Sequence, residues 1–458
     1  MAIFVRDKSF YKTLVRLALP IALQNFVTFG VAFADNLMVG SLGGTAIAGV
    51  YMGNQIQVFL QFFVQGVDQA LLIIAAQYWG KRDGESIKRL AAVGTAIVLT
   101  GGILLTVATT LFPAQLIGLF TNEPAVIAEA VGYVRIVCVS YVFFCLSQLL
   151  ISTMRSVENV KIGLYISVTA LVTNIIFNSV FIFGLFGVPA MGSRGAALAT
   201  VISRVIEFAV IFVYVLRVDT KLRMRIKDFF IIHKPLFGDF VRYGAPVLGG
   251  QVVWAVNMLA QSAIIGRMGE AAITSVSITG MLSNLLFVWI MGLGAGVGIL
   301  TGKTVGAGEY EKMKTYAYTV QIMLLGLGVI SGIIIFFVKD YFLMLYTLDE
   351  GTLAVAKQFM TVLAVAAVGR AYQAICLAGL VKAGGDVGFV FLNDTIFVFG
   401  VVLPSALIAM NVFHAAPWVV YACLQSDQIL KCFVAVVKIN RFKWMKNLTR
   451  RSPEEKPA

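Results

Sequence analysis

Long apolar runs make up most of this chain, and short polar segments separate them. A helix that crosses a bilayer needs about 20 mostly apolar residues. On that criterion the pattern predicts twelve spans, at 14–38, 46–76, 89–112, 125–151, 162–186, 194–216, 241–265, 272–301, 315–338, 352–379, 387–410 and 416–437. Turns such as Leu42-Gly43-Gly44 and Gly187-Val188-Pro189 divide them. The fold class expected is an all-α polytopic membrane protein of two six-helix lobes.

Composition agrees with the pattern. Of 458 residues, 59% are hydrophobic and only 13% charged, against about 25% charged in a soluble domain. A soluble chain this apolar could not cover its own surface. The net charge is +13. A basic balance can indicate nucleic acid, but here the basic residues sit in short patches between apolar runs, so no nucleic-acid partner is expected. With an even number of spans both termini share one side. The loops of that side, with the first residues of the adjoining spans, hold 28 Lys and Arg, against three (Arg194, Arg267 and Lys339) on the opposite side. The positive-inside rule then places both termini in the cytoplasm and the chain in the cytoplasmic membrane. The basic start, Arg6 to Arg16, precedes an apolar run broken by Pro20, Gln24 and Asn25, which does not fit a cleavable signal. Five cysteines lie scattered in apolar runs, which argues against a disulfide framework or a zinc site.

The two halves repeat. At a constant offset of 226 residues, Val15-Arg16 matches Val241-Arg242 and Pro20 matches Pro246. Gly40, Gly43, Ala46-Ile47 and Val50 match Gly266, Gly269, Ala272-Ile273 and Val276. Gly66, Gly80, Glu85 and Lys88 match Gly292, Gly306, Glu311 and Lys314, and Leu119 and Thr121 match Leu345 and Thr347. Six spans per half keep the orientation of the repeat, an arrangement common in transporters. The expected organisation is a first lobe at 1–216, a basic, partly amphipathic cytoplasmic linker at 217–240, a second lobe at 241–437 and a cytoplasmic tail at 438–458.

Polar residues inside the spans carry the functional signal, because a charge at bilayer depth is costly unless it faces protein or water. In the first span Gln24, Thr28 and Asp35 fall within about 40° on a helical wheel. Desolvation and a bound cation act on such a carboxyl in opposite directions, which suits a proton or sodium coupling site; a carboxylate merely hydrogen-bonded in a bundle is the structural alternative. In the second span Asn54, Gln57, Gln61, Gln65 and Asp68 run down one face within about 80°. They face a wet cavity or another polar helix. The sixth span places Arg204 and Glu207 at i,i+3 beside Thr200, where a neutralised structural pair is equally consistent. The fifth offers Asn174 and Asn178, one turn apart. At the repeat offset, Asp35 becomes Gln261, and the polar stripe becomes Gly280, Ser283, Phe287, Met291 and Gly294. The second half is thus the more neutral at depth, although Lys357, Arg370 and Asp394 lie in its apolar runs. Gly302-Lys303-Thr304 lacks the earlier glycine of a phosphate-binding loop, and His233 and His414 are too few for a multi-histidine metal site. No catalytic grouping is evident, so an enzyme is not expected.

Four segments together resemble the multidrug and toxic compound extrusion (MATE) family. They are Ala34-Asp35-Asn36-Leu37-Met38-Val39-Gly40-Ser41-Leu42-Gly43, Gln77-Tyr78-Trp79-Gly80-Lys81-Arg82-Asp83, the turn from Pro189 to Thr200, and Lys382-Ala383-Gly384-Gly385-Asp386 with Asp394 and Pro404 beyond. The resemblance implies two six-helix lobes that rock between inward- and outward-open states. It implies Na+- or H+-coupled export of amphiphilic, often cationic compounds, with no cofactor and a monomeric protein in the bilayer. It also implies a cation site formed by Asp35, Asn174, Asn178 and Thr200, with Asp35 as the ligand for Na+ or the group that is protonated. Where some members carry acids in spans seven and ten, this chain has Asn257, Gln261 and Gln373. The expected lining of the substrate cavity is Gln24, Thr28, Asn54, Gln57, Gln61, Gln65, Asp68, Arg204, Glu207, Asn257 and Gln261. A flippase for lipid-linked precursors or polysaccharides, of similar architecture, is the alternative function, and an integral-membrane enzyme a more distant one.

Overall fold

The computed structural model describes residues 4–346 and 348–450. Thr347, the last matched position of the repeat, and residues 451–458 of the expected tail lie outside the described residues. Helices account for nearly everything described, and no strand occurs among the described residues.

The first repeat consists of α1 (Lys8–Gly40), α2 (Gly44–Gly80), α3 (Gly84–Leu111), α4 (Pro113–Gly118), α5 (Pro124–Val137), α6 (Ser140–Ser156), α7 (Lys161–Phe183) and α8 (Gly192–Val213). The second consists of α9 (Lys234–Gly266), α10 (Glu270–Gly306), α11 (Tyr310–Leu343), α12 (Glu350–Ile375), α13 (Val387–Phe397), α14 (Leu403–Asn411), α15 (Pro417–Leu424) and α16 (Ser426–Asn440). Among the described residues, eleven helical stretches are long and apolar enough to cross a membrane, with α13 and α14 forming one and α15 and α16 another, and twelve if the pair α5 and α6, bent by 53°, counts as one span. That pair occupies the expected fourth span.

The repeat survives in the geometry. Helices α1 and α9 both have 33 residues and a proline inside, Pro20 and Pro246, and α2 and α10 both have 37. Gly43 and Gly269 precede α2 and α10 with φ of 101° and 95°. That backbone region is open to glycine and strained for other residues, so both sharp reversals require the matched glycines.

Packing divides the chain into two compact units. One runs from Leu23 to Leu248, and the other comprises the chain up to Ala22 and from Gly249 onward. The boundaries fall inside α1 and α9, just after the two prolines. By packing, the opening half of α1 goes with the second repeat and the opening half of α9 with the first. The division of sequence at 216 and 241 cuts elsewhere. Glycines make these contacts possible. In the second unit Ala22 lies on Gly292 and Ala18 on Gly296, and in the first Leu248 lies on Gly66. Small residues let helices approach closely in lipid, where apolar surface gives little drive to associate.

Each repeat ends by folding back on itself. After α8 the chain turns at Asp219, whose carboxylate accepts the Leu222 amide at 2.8 Å, and Leu222 and Met224 are buried. Asn159 holds this turn through the Tyr214 hydroxyl at 2.9 Å. After α16, Trp444 is fully buried, Leu448 is nearly so, and the Lys446 amide donates to the Gly384 carbonyl at 2.8 Å. Gly385, at φ 106°, shapes the loop that receives it. Leu222 and Leu448 are also 226 positions apart. The segments read as linker and tail therefore begin as docked clasps.

Candidate functional site

In the first unit, polar side chains from five helices converge. Asp35 sits near the end of α1, and Asn174 and Asn178 lie one turn apart on α7, both buried. Asn178 donates its side-chain amide to Asp35 at 2.5 Å and to the Asn174 carbonyl oxygen at 3.1 Å. Its own carbonyl oxygen is sealed from solvent and has no partner. A buried acceptor left without a donor carries a desolvation cost. Thr200, on α8, gives its hydroxyl hydrogen to Ala196 at 2.9 Å, which leaves the oxygen lone pairs available. Hydrogen bonds thus bring together Asp35, Asn174 and Asn178 of the four residues named from the resemblance, and all four carry side-chain oxygens, on α1, α7 and α8. Such sets suit hard cations.

Sequence reasoning missed Tyr133, on α5. Its hydroxyl donates to Asn54 Oδ1 at 3.0 Å and so joins the upper end of the α2 stripe to this region. The only signal was a hydroxyl-bearing aromatic in an apolar run. Further along α8, Arg204 pairs with Glu207 at 2.6 Å, stands over the Phe144 ring at 5.1 Å, and Gln148 donates to the other Glu207 oxygen at 3.3 Å. This pair is a neutralised unit.

The remaining expected residues separate into groups. Gln57 and Gln61 are half-buried and Gln65 is exposed. Thr28 spends its hydroxyl hydrogen on the Gln24 carbonyl at 2.9 Å. Gln24 is buried beside Gly163 and accepts from Arg155 at 2.7 Å. Arg155 therefore belongs to the interior, although its position in sequence assigns it to a loop. Asp68 Oδ1 and Arg155 Nε are both sealed without a partner. In the second unit Gln261 donates to Asn257 at 3.2 Å, and Gln373 donates to Gln428 at 2.9 Å. Buried Lys431 and Asp427 form an ion cluster there with half-buried Asp394, with Lys431 2.9 Å from Asp394 and 3.2 Å from Asp427.

The sequence profile of MatE matches residues 20–180 and again 246–408, well over half of the chain, with starts 226 residues apart. The chain belongs to the MATE family of multidrug efflux transporters. It is a transporter and not an enzyme. Multidrug resistance protein NorM of Vibrio vulnificus (strain YJ016) is 25% identical over 408 residues, 88% of each chain. The uncharacterized transporter YisQ of Bacillus subtilis is 22% identical over 87% of each. A crystal structure of MATE in the bent conformation superposes with a TM-score of 0.85 at 19% identity, covering 94% of this chain and 96% of the other. The Vibrio cholerae MATE transporter VcmN, in the bent form, gives 0.83 at 16% identity, over 95% and 97%. As a multi-pass MATE protein, the chain handles small molecules in a membrane and needs no cofactor.

Proposed function

We propose that this MATE protein is a cation-coupled antiporter of the cytoplasmic membrane that exports amphiphilic compounds by alternating access. The observation that supports the reading is the Asp35 site, where a carboxylate and two asparagines meet and one buried Asn178 oxygen has no donor. Either Na+ among these oxygens or a proton on Asp35 would neutralise the carboxylate. Occupancy then selects the direction in which the two six-helix lobes open, because a ligand shifts a conformational equilibrium by its differential affinity for the two states. Each charge moving inward through 100 mV supplies about 2.3 kcal/mol to the cycle. Both termini lie in the cytoplasm on the charge count, 28 against three. The polar face of α2, with Asn54, Gln57, Gln61, Gln65 and Asp68, lines the substrate path together with the Arg204–Glu207 pair. The protein works as a monomer.

The test is dye efflux in inside-out vesicles with Na+ and pH varied separately, comparing the parent with Asp35→Asn. Loss of cation-driven transport is expected. Undiminished cation-driven transport by the variant would overturn the assignment. Scrambling of labelled lipid without dye transport would favour the flippase instead.

A further inference from the structure

The two units treat their half-buried arginines differently. Arg204 is neutralised by Glu207 at 2.6 Å. Arg370, on α12, makes one hydrogen bond, from Nη1 to the Ser283 hydroxyl at 2.8 Å, and lies 3.9 Å from the centre of the Phe287 ring. Among the described residues no carboxylate stands within ion-pair distance of Arg370. The carboxylate whose charge acts on it, Asp427, is already held by Lys431 at 3.2 Å and by the Gln428 amide at 2.9 Å.

An unpaired guanidinium at this depth costs several kcal/mol. Arg370 is half-buried, so part of its side chain is open. Ser283 and Phe287 correspond, at the repeat offset, to Gln57 and Gln61 on the polar face of α2. Arg370 therefore supplies from α12 the charge that the matching face of α10 lacks. Ser283 and Phe287 fix the plane of the guanidinium, and its remaining N–H groups form a fork suited to a carboxylate, phosphate or sulfonate.

We infer that Arg370, with Ser283 and Phe287, is a subsite for an anionic group, so that the exported amphiphiles include organic anions and zwitterions. This rests on the transport reading above and names its substrate class. The ring of Phe287 takes the apolar part next to the anion, and the fork takes the anion.

The experiment uses the full chain in neutral phosphatidylcholine nanodiscs, with carboxyfluorescein as the anionic probe and ethidium as the cationic one. Fluorescence polarisation is expected to show Arg370→Gln weakening carboxyfluorescein by about tenfold, the scale of one charge-assisted hydrogen bond, with ethidium changed less than about twofold. Arg370→Lys should restore part of the loss, because it keeps the charge and loses the fork. Equal loss of both probes, or carboxyfluorescein binding indifferent to Arg370→Gln in protein with unaltered melting temperature, would overturn the inference. Cation-driven ethidium export by the same variant would show that the transport reading stands when the subsite fails. Repeating the titration with phosphatidylglycerol in the discs separates the two sources of the anion: competition identifies a lipid headgroup, and none identifies a soluble amphiphile.

Discussion

Asn178 donates its side-chain amide to the Asp35 carboxylate at 2.5 Å, across 143 positions of sequence. The same amide also reaches Asn174, so both N–H groups are spent and the oxygen is left as an unsatisfied acceptor. The donor side of Asn178 thus fixes the carboxylate, and its acceptor side awaits a cation or a hydroxyl. Asp35→Asn removes the charge and keeps the shape. It is expected to reduce cation-driven efflux at least about tenfold and to leave equilibrium dye binding within about threefold, because the loss falls on coupling and not on the substrate path. Efflux and binding measured on the same preparation check this.

Sodium and proton coupling separate in a stability measurement. A ligand that binds only the folded protein raises stability by RT ln(1 + [L]/Kd), about 2.7 kcal/mol at a hundredfold excess over Kd. With Na+ coupling, the melting temperature should rise in Na+ relative to the same concentration of K+. Asp35→Asn should abolish the rise. Asn178→Ala should shift the Na+ dependence to concentrations about tenfold higher, since it removes one oxygen and the group that orients another. No difference between Na+ and K+ in the parent would assign the site to protons.

Much of this architecture was legible because lipid simplifies the code. Spans announce themselves as apolar runs, and the duplication was visible in matched glycines whose φ values prove to require glycine. Asp35 was legible as a charge that lipid should exclude. The partners that depend on long-range packing were not. Arg155 reads as a loop residue until α6 turns it onto Gln24. Tyr133 reads as one aromatic among many until it meets Asn54. The second half read as neutral along α10, because the charge on that face comes from Arg370 on α12. The docked starts of the linker and tail were hidden because Leu222 and Trp444 stand among basic residues that suggest solvent.

The clasp after α16 gives a pH-dependent prediction. Asp386 is 2.7 Å from both Lys438 and Lys446. Burial pushes its carboxyl up, but the two ammonium groups outweigh burial and hold it below its ordinary value of 3.8. A carboxyl lowered on folding contributes stability above its unfolded value and loses it as pH falls through the folded one. Asp386→Asn should therefore lower stability by about 1.5–3 kcal/mol near neutral pH, the range for hydrogen bonds to charged groups. The difference from the parent should persist down to about pH 4 and shrink below it. Thermal unfolding of both proteins from pH 7 to pH 3 measures the gap; a gap that widened on acidification would contradict the sign.

The contact of α1 with α10 supports a prediction with an internal control on one helix. A Cβ at Gly292 would lie 2.5 Å from the Ala22 Cβ and 2.7 Å from the Ala22 backbone, so no side-chain rotation can relieve it. At Gly280, on the same helix, nothing lies within 4 Å. Both substitutions to alanine carry the same favourable change in helix propensity, which amounts to less than about 1 kcal/mol. Gly292→Ala adds overpacking, which costs about 1–3 kcal/mol and forces the backbones apart. Gly280→Ala is expected to leave the melting temperature unchanged or slightly raised, and Gly292→Ala to lower it. Because Gly66 receives Leu248 226 residues earlier, Gly66→Ala should repeat the loss, in milder form, since the Leu248 side chain can move aside where the Ala22 backbone cannot. Equal melting temperatures for Gly292→Ala and Gly280→Ala would show that the opening half of α1 does not bear on α10 as described.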